Sequence, residues 1–198
     1  MSLVRYLFLG FAILTSMVIS AQQSLIKFVD PFIGVDNKGQ IFLGASLPFG
    51  MVKIGPDCNN KSANQGYISN GIIRGFSHVH ASGTGGGPKY GNVLVAPFSG
   101  YPDYKNYGTT GSQEVSTPGY FSVFLDTYKI KSELAVTHSG ALHKYTYTSG
   151  KNNGFFIDLG SFLNRKCTNC IERQYLVGSS IELVNDTLIE GYTRVRGG

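Results

Sequence analysis

Through much of this chain apolar residues recur at every second position, the spacing that puts one face of a β-strand inward and the other outward. In Tyr120 to Asp126, residues Phe121, Val123 and Leu125 share a face. Ile130, Leu134 and Val136 do the same in the next run, with Lys129, Lys131, Glu133 and Thr137 opposite. Ala141, His143, Tyr145 and Tyr147 then alternate with Leu142, Lys144, Thr146 and Thr148, and Ser139-Gly140 reads as the tight turn between the two runs. Further strands are predicted at Gly50–Ile54, Ile72–His80, Val93–Phe98 and Phe155–Leu159. A last hairpin pairs Tyr175–Val184 with Leu188–Val195 around Asn185-Asp186, residues that tolerate turn geometry. Helical periodicity is hard to find after residue 21, and Pro48, Pro56, Pro97, Pro102 and Pro118 read as punctuation between strands. Many short strands with such spacing predict an all-β, antiparallel β-sandwich.

The first residues stand apart from that pattern. Arg5 is the only charge before an apolar run from Tyr6 to Ile19, which ends in Ser20-Ala21. A positive start, a short apolar stretch and small residues predict a secretory signal peptide over residues 1–21, cut after Ala21. The run is shorter than the ~20 apolar residues of a spanning helix, so no membrane attachment is expected after cleavage. Residues 22–198 are then one exported domain, secreted or periplasmic. The strand pattern still runs at Gly191 to Gly198, which predicts a fragment of a longer product.

Composition narrows the class further. The net charge is +5, but the basic residues are scattered, without the Lys/Arg clusters of nucleic-acid binders, so no nucleic-acid partner is expected. Thirteen phenylalanines and 12 tyrosines, with no tryptophan, suit strands and apolar or sugar-stacking surfaces. Three cysteines, Cys58, Cys167 and Cys170, leave at least one thiol unpaired or paired elsewhere. Cys167-Thr-Asn-Cys170 has redox or half-zinc spacing but lacks a second ligand pair, and reads as a local disulfide or two plain thiols.

The segment Gly71 to Asn92, GIIRGFSHVHASGTGGGPKYGN, concentrates the chemistry. His78 and His80 lie two residues apart, so on a strand both side chains share a face. Metal ligation, bonds to backbone, and polar contact with a ligand or adjoining domain are all open to them; a zinc site needs a third ligand, for which Asp30, Asp57, His138 and His143 are candidates that nothing in the sequence places nearby. Gly83, Gly85, Gly86 and Gly87 follow, a loop suited to positive φ or to close approach of another group. Glycoside hydrolysis needs two carboxyl groups flanking the bond. Asp30, Asp36, Asp57, Asp103, Asp126, Asp158 and Glu190 are dispersed, and no pair stands out. Serine-elbow and phosphate-loop motifs are missing, and the sequons at Asn60 and Asn185 matter only in a eukaryotic secretory pathway.

Five segments in register resemble the opening motifs of glycoside hydrolase family 92. They are Val29-Asp-Pro-Phe-Ile-Gly34, Gly44-Ala-Ser-Leu-Pro-Phe-Gly-Met-Val52, Gly75-Phe-Ser-His-Val-His-Ala-Ser-Gly-Thr-Gly85, Pro118-Gly-Tyr-Phe-Ser-Val-Phe-Leu125 and Ile189-Glu-Gly-Tyr192. The resemblance implies the supersandwich-like N-terminal domain of a secreted, inverting, calcium-dependent exo-α-mannosidase, with α-1,2 linkages in mannose-containing glycans as substrate. It places the general acid, the general base and the Ca2+ ligands in a C-terminal (α/α) barrel, a catalytic domain expected as the partner of this one. No catalytic or metal residue is therefore expected in this chain, which alone is expected to be inactive. The resemblance puts His78, His80, Gly83, Thr84, Gly85 and Gly86 at the wall of the sugar pocket, with Phe32, Gly34, Gly39 and Gln40 close by. The sequence departs from the family at Asn37-Lys-Gly-Gln40, at Leu43 and at Gly86-Gly-Pro-Lys-Tyr90, all in pocket loops. A different class also fits the composition: a stand-alone carbohydrate-binding β-sandwich without hydrolase activity.

Overall fold

The computed structural model describes residues 25–36, 41–58, 65–81, 90–148, 150, 152–163 and 174–197. Two compact units divide at Asp30 and Pro31. The described part of the first is a single helical turn at Leu25–Ile26, closed by bonds from the Phe28 and Val29 amides to the Leu25 and Ile26 carbonyls.

Among the described residues, the second unit holds eleven strands in three sheets. The first sheet has the order β1 (Ala45–Ser46), β2 (Lys53–Cys58), β3 (Ile73–Ser77), β4 (Leu94–Ser99), β9 (Asn153–Asp158). The second is a meander of β5 (Gly111–Thr117), β6 (Tyr120–Leu125), β7 (Ile130–Val136) and β8 (Ala141–Tyr147). A two-stranded ribbon, β10 (Tyr175–Asn185) with β11 (Leu188–Arg196), completes it. All pairings are antiparallel, as the all-β sandwich reading requires.

The alternation in β6 to β8 sets the inner face of the meander. Phe121 lies opposite Leu134, which lies opposite His143; Val123 opposes Ser132 and then Tyr145; Leu125 opposes Ile130 and then Tyr147. Phe121, Val123, Leu125, Ile130 and Leu134 are fully buried, and share one core with Ala45, Ile54, Ile73 and Phe76 of the first sheet. Burying such side chains contributes roughly 1.5–3 kcal/mol each, which is what holds sheet on sheet. The β8 positions of these rows are only half-buried, so the seam between the sheets opens toward that edge.

Several details differ from the sequence pattern. Pro56 and Pro97 do not separate strands; they lie inside β2 and β4, opposite Phe76 and Phe155. Proline has no amide hydrogen to give to a ladder. The Pro97 carbonyl instead accepts from the Tyr107 hydroxyl, and β3 and β4 share only the Phe76–Val95 pair. Strand β3 ends at Ser77, short of the histidines. Strand β5 went unread because Ser112-Gln113-Glu114 is polar and the strand bulges between Ser112 and Val115. The final hairpin matches closely, its turn fixed by Asn185 Oδ1, which accepts from the Thr187 amide at 2.9 Å. The leader, Cys167 and Cys170, and the Asn60 sequon lie outside the described residues; Cys58 is a buried free thiol, its pKa pushed up to about 12 by burial.

One buried hydroxyl is unsatisfied in the middle of the core. Ser132 Oγ has no hydrogen-bond partner among the described residues, between Val123 and Tyr145. An orphaned hydroxyl costs about 1–3 kcal/mol, so Ser132→Ala is expected to raise stability by about 1 kcal/mol. Urea unfolding of the two proteins checks this, and a destabilised variant would contradict it.

Candidate functional site

The histidines follow β3 immediately and meet two different sets of partners. His80 is buried against its own sheet: Nδ1 lies 2.9 Å from the Lys53 carbonyl, Nε2 lies 2.6 Å from Asp57 Oδ1 and 3.2 Å from Ser77 Oγ. The ring also stacks at a tilt on Phe42, centroids 4.8 Å apart. A carbonyl can only accept, so Nδ1 carries a hydrogen. A second hydrogen must occupy the short contact between Nε2 and the carboxyl group. Ring and carboxyl therefore form a pair with no net charge, which is how a buried acid and base avoid the cost of isolated ions.

The space around that pair is closed by glycine. A Cβ on Gly66 would lie 2.3 Å from Asp57 Oδ1 and 2.8 Å from His80 Nε2, and the residue has φ +80. The other carboxyl oxygen, Asp57 Oδ2, is buried without a hydrogen-bond partner among the described residues.

His78 reaches across the seam to the other sheet. Its Nδ1 lies 2.9 Å from the Val93 carbonyl, and its Nε2 lies 3.0 Å from His143 Nε2. His143 Nδ1 in turn lies 2.6 Å from the Tyr145 hydroxyl. With both rings neutral, only one set of hydrogen positions works. His78 donates from Nδ1 to the carbonyl, His143 donates from Nε2 to His78, and Tyr145 donates to His143. Burial holds His78 below the ordinary histidine pKa, and burial followed by repulsion from His78 pushes His143 down to about 4. Burial raises the Tyr145 hydroxyl.

Of the other predicted pocket residues, Phe32 and Gly34 form a turn with the Val35 amide bonded to the Phe32 carbonyl, and the Ile41 amide bonds back to Gly34. Gly34 has φ +79, and a Cβ there would meet Ile41 Cγ1 at 2.8 Å. Gly39, Gln40, Gly83, Thr84, Gly85 and Gly86 lie outside the described residues. The fold brings Asp57 to His80 and His143 to His78, both of them candidates in the sequence, and adds Phe42 and Tyr145; the inward alternation of β8 hinted only at Tyr145. Sequence reasoning also passed over Glu114. Its carboxyl accepts from the Tyr67 hydroxyl at 2.6 Å, and burial raises its pKa.

Comparison with known proteins assigns this architecture. Residues 28–198 match the model of the glycosyl hydrolase family 92 N-terminal domain. The chain belongs to that family. It is similar to an α-mannosidase of family 92 from Bacteroides thetaiotaomicron at 31% identity and a TM-score of 0.77, covering 87% of this chain and 24% of that one. A structure described as the same enzyme in complex with mannoimidazole gives 30% identity and a TM-score of 0.75, covering 87% of this chain and 23% of that one. An uncharacterized secreted glycosidase from Arthroderma benhamiae is 32% identical over 143 residues, covering 66% of this chain and 18% of that protein. The chain therefore spans about a quarter of the solved structures and under a fifth of the curated relative.

Two expectations come from this geometry. Asp57→Ala leaves the His80 ring without its partner and should cost about 3–5 kcal/mol. Gly66→Ala forces the same pair apart and should destabilise too, while the double variant should fall short of the sum because both act on one contact. Strict additivity in denaturant melts would refute the coupling. The His78–His143 pair gives a pH dependence. Its histidines bind protons less readily folded than unfolded, so the unfolded chain takes up more protons between the ordinary histidine value of 6.5 and about 4. Stability is then full above that window and should fall by on the order of 2 kcal/mol as pH drops through it. In metal-free buffer, His143→Gln should flatten that slope; an unchanged slope would remove the pair as its source.

Proposed function

We propose that this chain acts as the N-terminal domain of an exported α-mannosidase that hydrolyses α-1,2 bonds in mannose-containing glycans with inversion. The family match from residue 28 to 198, joined to about 30% identity with a solved family 92 α-mannosidase, carries the reading. In it, the segment from His78 through Gly86, with Phe32, Gly34, Gly39 and Gln40, walls the sugar pocket. A catalytic domain, the chain's partner, brings the acid and base. An inverting reaction sets those two carboxyl groups about 6.5–9.5 Å apart, with a water between base and anomeric carbon.

The local chemistry supports that division of labour. The described carboxylates singled out by their bonds are engaged in holding the fold: Asp57 on His80, Asp126 on Thr110 and Ser112, Glu114 on Tyr67, and Glu133 on Tyr120 and Lys144. Among the described residues no three His, Cys, Asp or Glu side chains lie close enough to hold a metal ion, and the Ca2+ of the proposed enzyme belongs with the catalytic domain. The β10–β11 ribbon shows Val177, Ile181, Leu183, Val184 and Ile189 on its surface. Exposed apolar side chains of this kind suit contact with another domain. Export accords with the Arg5 to Ala21 leader pattern and with the fungal relative, which is described as secreted.

A second reading, a carbohydrate-binding module, has one feature in its favour: Tyr101 is 93% exposed and Tyr104 61%, aromatic rings available for stacking on sugars. A chimera separates the two. Residues 22–198 are exchanged for the matching N-terminal part of the Bacteroides α-mannosidase, and hydrolysis of an aryl α-mannoside is measured. The chimera is expected to turn over substrate, and the chain alone is not. Turnover by the chain alone that disappears on changing one of its own carboxylates would overturn the reading. Saturable calorimetric heat with mannose oligosaccharides, abolished by Tyr101→Ala, would favour the binding module instead.

A further inference from the structure

We propose that Phe49, on the turn leading from β1 to β2, is a docking anchor that fills an apolar pocket on the catalytic domain beside the sugar site. Met51 and Val79 are the apolar ground around it. The inference rests on the proposed mannosidase reading and deepens it by naming where the two domains meet. Exposure is the first argument. Phe49 is 97% exposed, Met51 70% and Val79 40%. A phenylalanine left wholly in water contributes nothing to its own domain, whereas aromatic residues and methionine are enriched where proteins meet.

The backbone is the second argument. Phe49 has φ +58, a left-handed conformation that a bulky side chain rarely adopts. Three bonds hold the turn in place. The Gly50 amide donates to the Leu47 carbonyl at 3.0 Å, the Gly119 amide to the Ser46 carbonyl at 3.0 Å, and the Met51 amide to the His138 carbonyl at 2.8 Å. The last two tie the turn to the ends of the meander, so the ring is presented from a fixed base and little ordering cost is left for binding. Backbone strain kept in this way gathers at binding sites. Tyr90, at φ +64, and Val93, at φ +56, belong to the same end of the fold, and the Val93 carbonyl accepts from His78.

Position selects the occupant. The Lys53 amide donates to the His78 carbonyl at 3.1 Å, so the exit of the turn runs beside His78, and Val79 is the next residue. In the proposed enzyme the segment from His78 to Gly86 walls the pocket, and the catalytic domain that closes the pocket from the other side comes to this end. The chain covers 24% of the Bacteroides α-mannosidase, so such an enzyme has ample further chain to supply that surface. A sugar is the poorer occupant. Pro48 has no amide hydrogen, and those of Gly50 and Met51 are already given to carbonyls, which leaves them none for a sugar hydroxyl.

Met51 is the only methionine in residues 22–198, which makes its oxidation a local probe. The chain alone and the chimera with the Bacteroides catalytic part are treated with hydrogen peroxide, and the Met51 sulfoxide is followed by peptide mass spectrometry. Oxidation is expected to be at least tenfold slower in the chimera, and Phe49→Gly should restore most of the rate there. Leu142→Ala, which trims an exposed side chain on β8, should leave the protection intact. In the chain alone, Phe49→Gly relieves the positive φ and should raise the unfolding midpoint by about 2–4 °C. A chimera that hydrolyses an aryl α-mannoside while its Met51 oxidises as fast as in the chain alone overturns the anchor and leaves the mannosidase reading standing. A chimera without turnover fails that reading and takes the anchor with it. Protection of Met51 in the chain alone by mannose oligosaccharides puts sugar on the turn and overturns the anchor. A lowered midpoint for Phe49→Gly in the chain alone does so too, since the ring would then be packing its own domain.

Discussion

The inner face of the β5–β8 meander must be covered, and that constraint organises the rest of the second unit. Phe121, Val123, Leu125, Ile130 and Leu134 come from only two adjacent strands, and none is exposed. A two-dimensional patch of that kind has no stable arrangement in water until another sheet supplies Ile54, Ile73 and Phe76 from above. With the sheets committed to each other, the ends of β3 and β8 are brought face to face. His78 can then meet His143, 65 positions away in sequence. The polar seam is thus a product of the apolar core, and it sits where that core runs out.

This division explains how much of the fold was legible. Period-two alternation is strong where one face is dry and the other wet, so β6, β7 and β8 could be read residue by residue. The same rule fails for strands buried on both faces. Strand β2 has five consecutive buried residues, including Asp57 and Pro56, and presents no alternation to detect. It fails again at the bulged edge strand β5, where a two-against-one register scrambles the period. Prolines mislead for a related reason: Pro97 lies inside β4 opposite Phe155, beside a stretch where β3 and β4 share a single register pair, which no local pattern announces.

The candidate site was legible in part, through unusual residues; its partners came from topology. Two histidines beside a glycine-rich loop stand out in any sequence. That His80 would close on Asp57 depends on the β2–β3 register, which pairs Asp57 with Gly75 and Gly55 with Ser77. That His143 and Tyr145 would both point inward followed from alternation, but their meeting with His78 required knowing which sheet covers which. Gly66 belongs to the same lesson. Its positive φ and the 2.3 Å approach of a hypothetical Cβ to Asp57 become meaningful only when the carboxyl group is seen beneath it.

Two polar clusters within three residues of sequence have opposite consequences for function. The His80–Asp57 pair is shut away, and its hydrogen bonds run to β2 and β3 of one sheet; it fixes the direction in which the chain leaves β3. The His78–His143 pair bridges the two sheets and stays half open. A loop that begins just beyond a closed clamp has its base held, whatever its tip does, because breaking the clamp would expose an unpaired buried group at a cost of several kcal/mol. The Gly91 amide, bonded to the Val79 carbonyl at 2.8 Å, ties the returning strand to the same place. Both feet of the segment between Val79 and Gly91 are therefore anchored by backbone and by buried polar bonds.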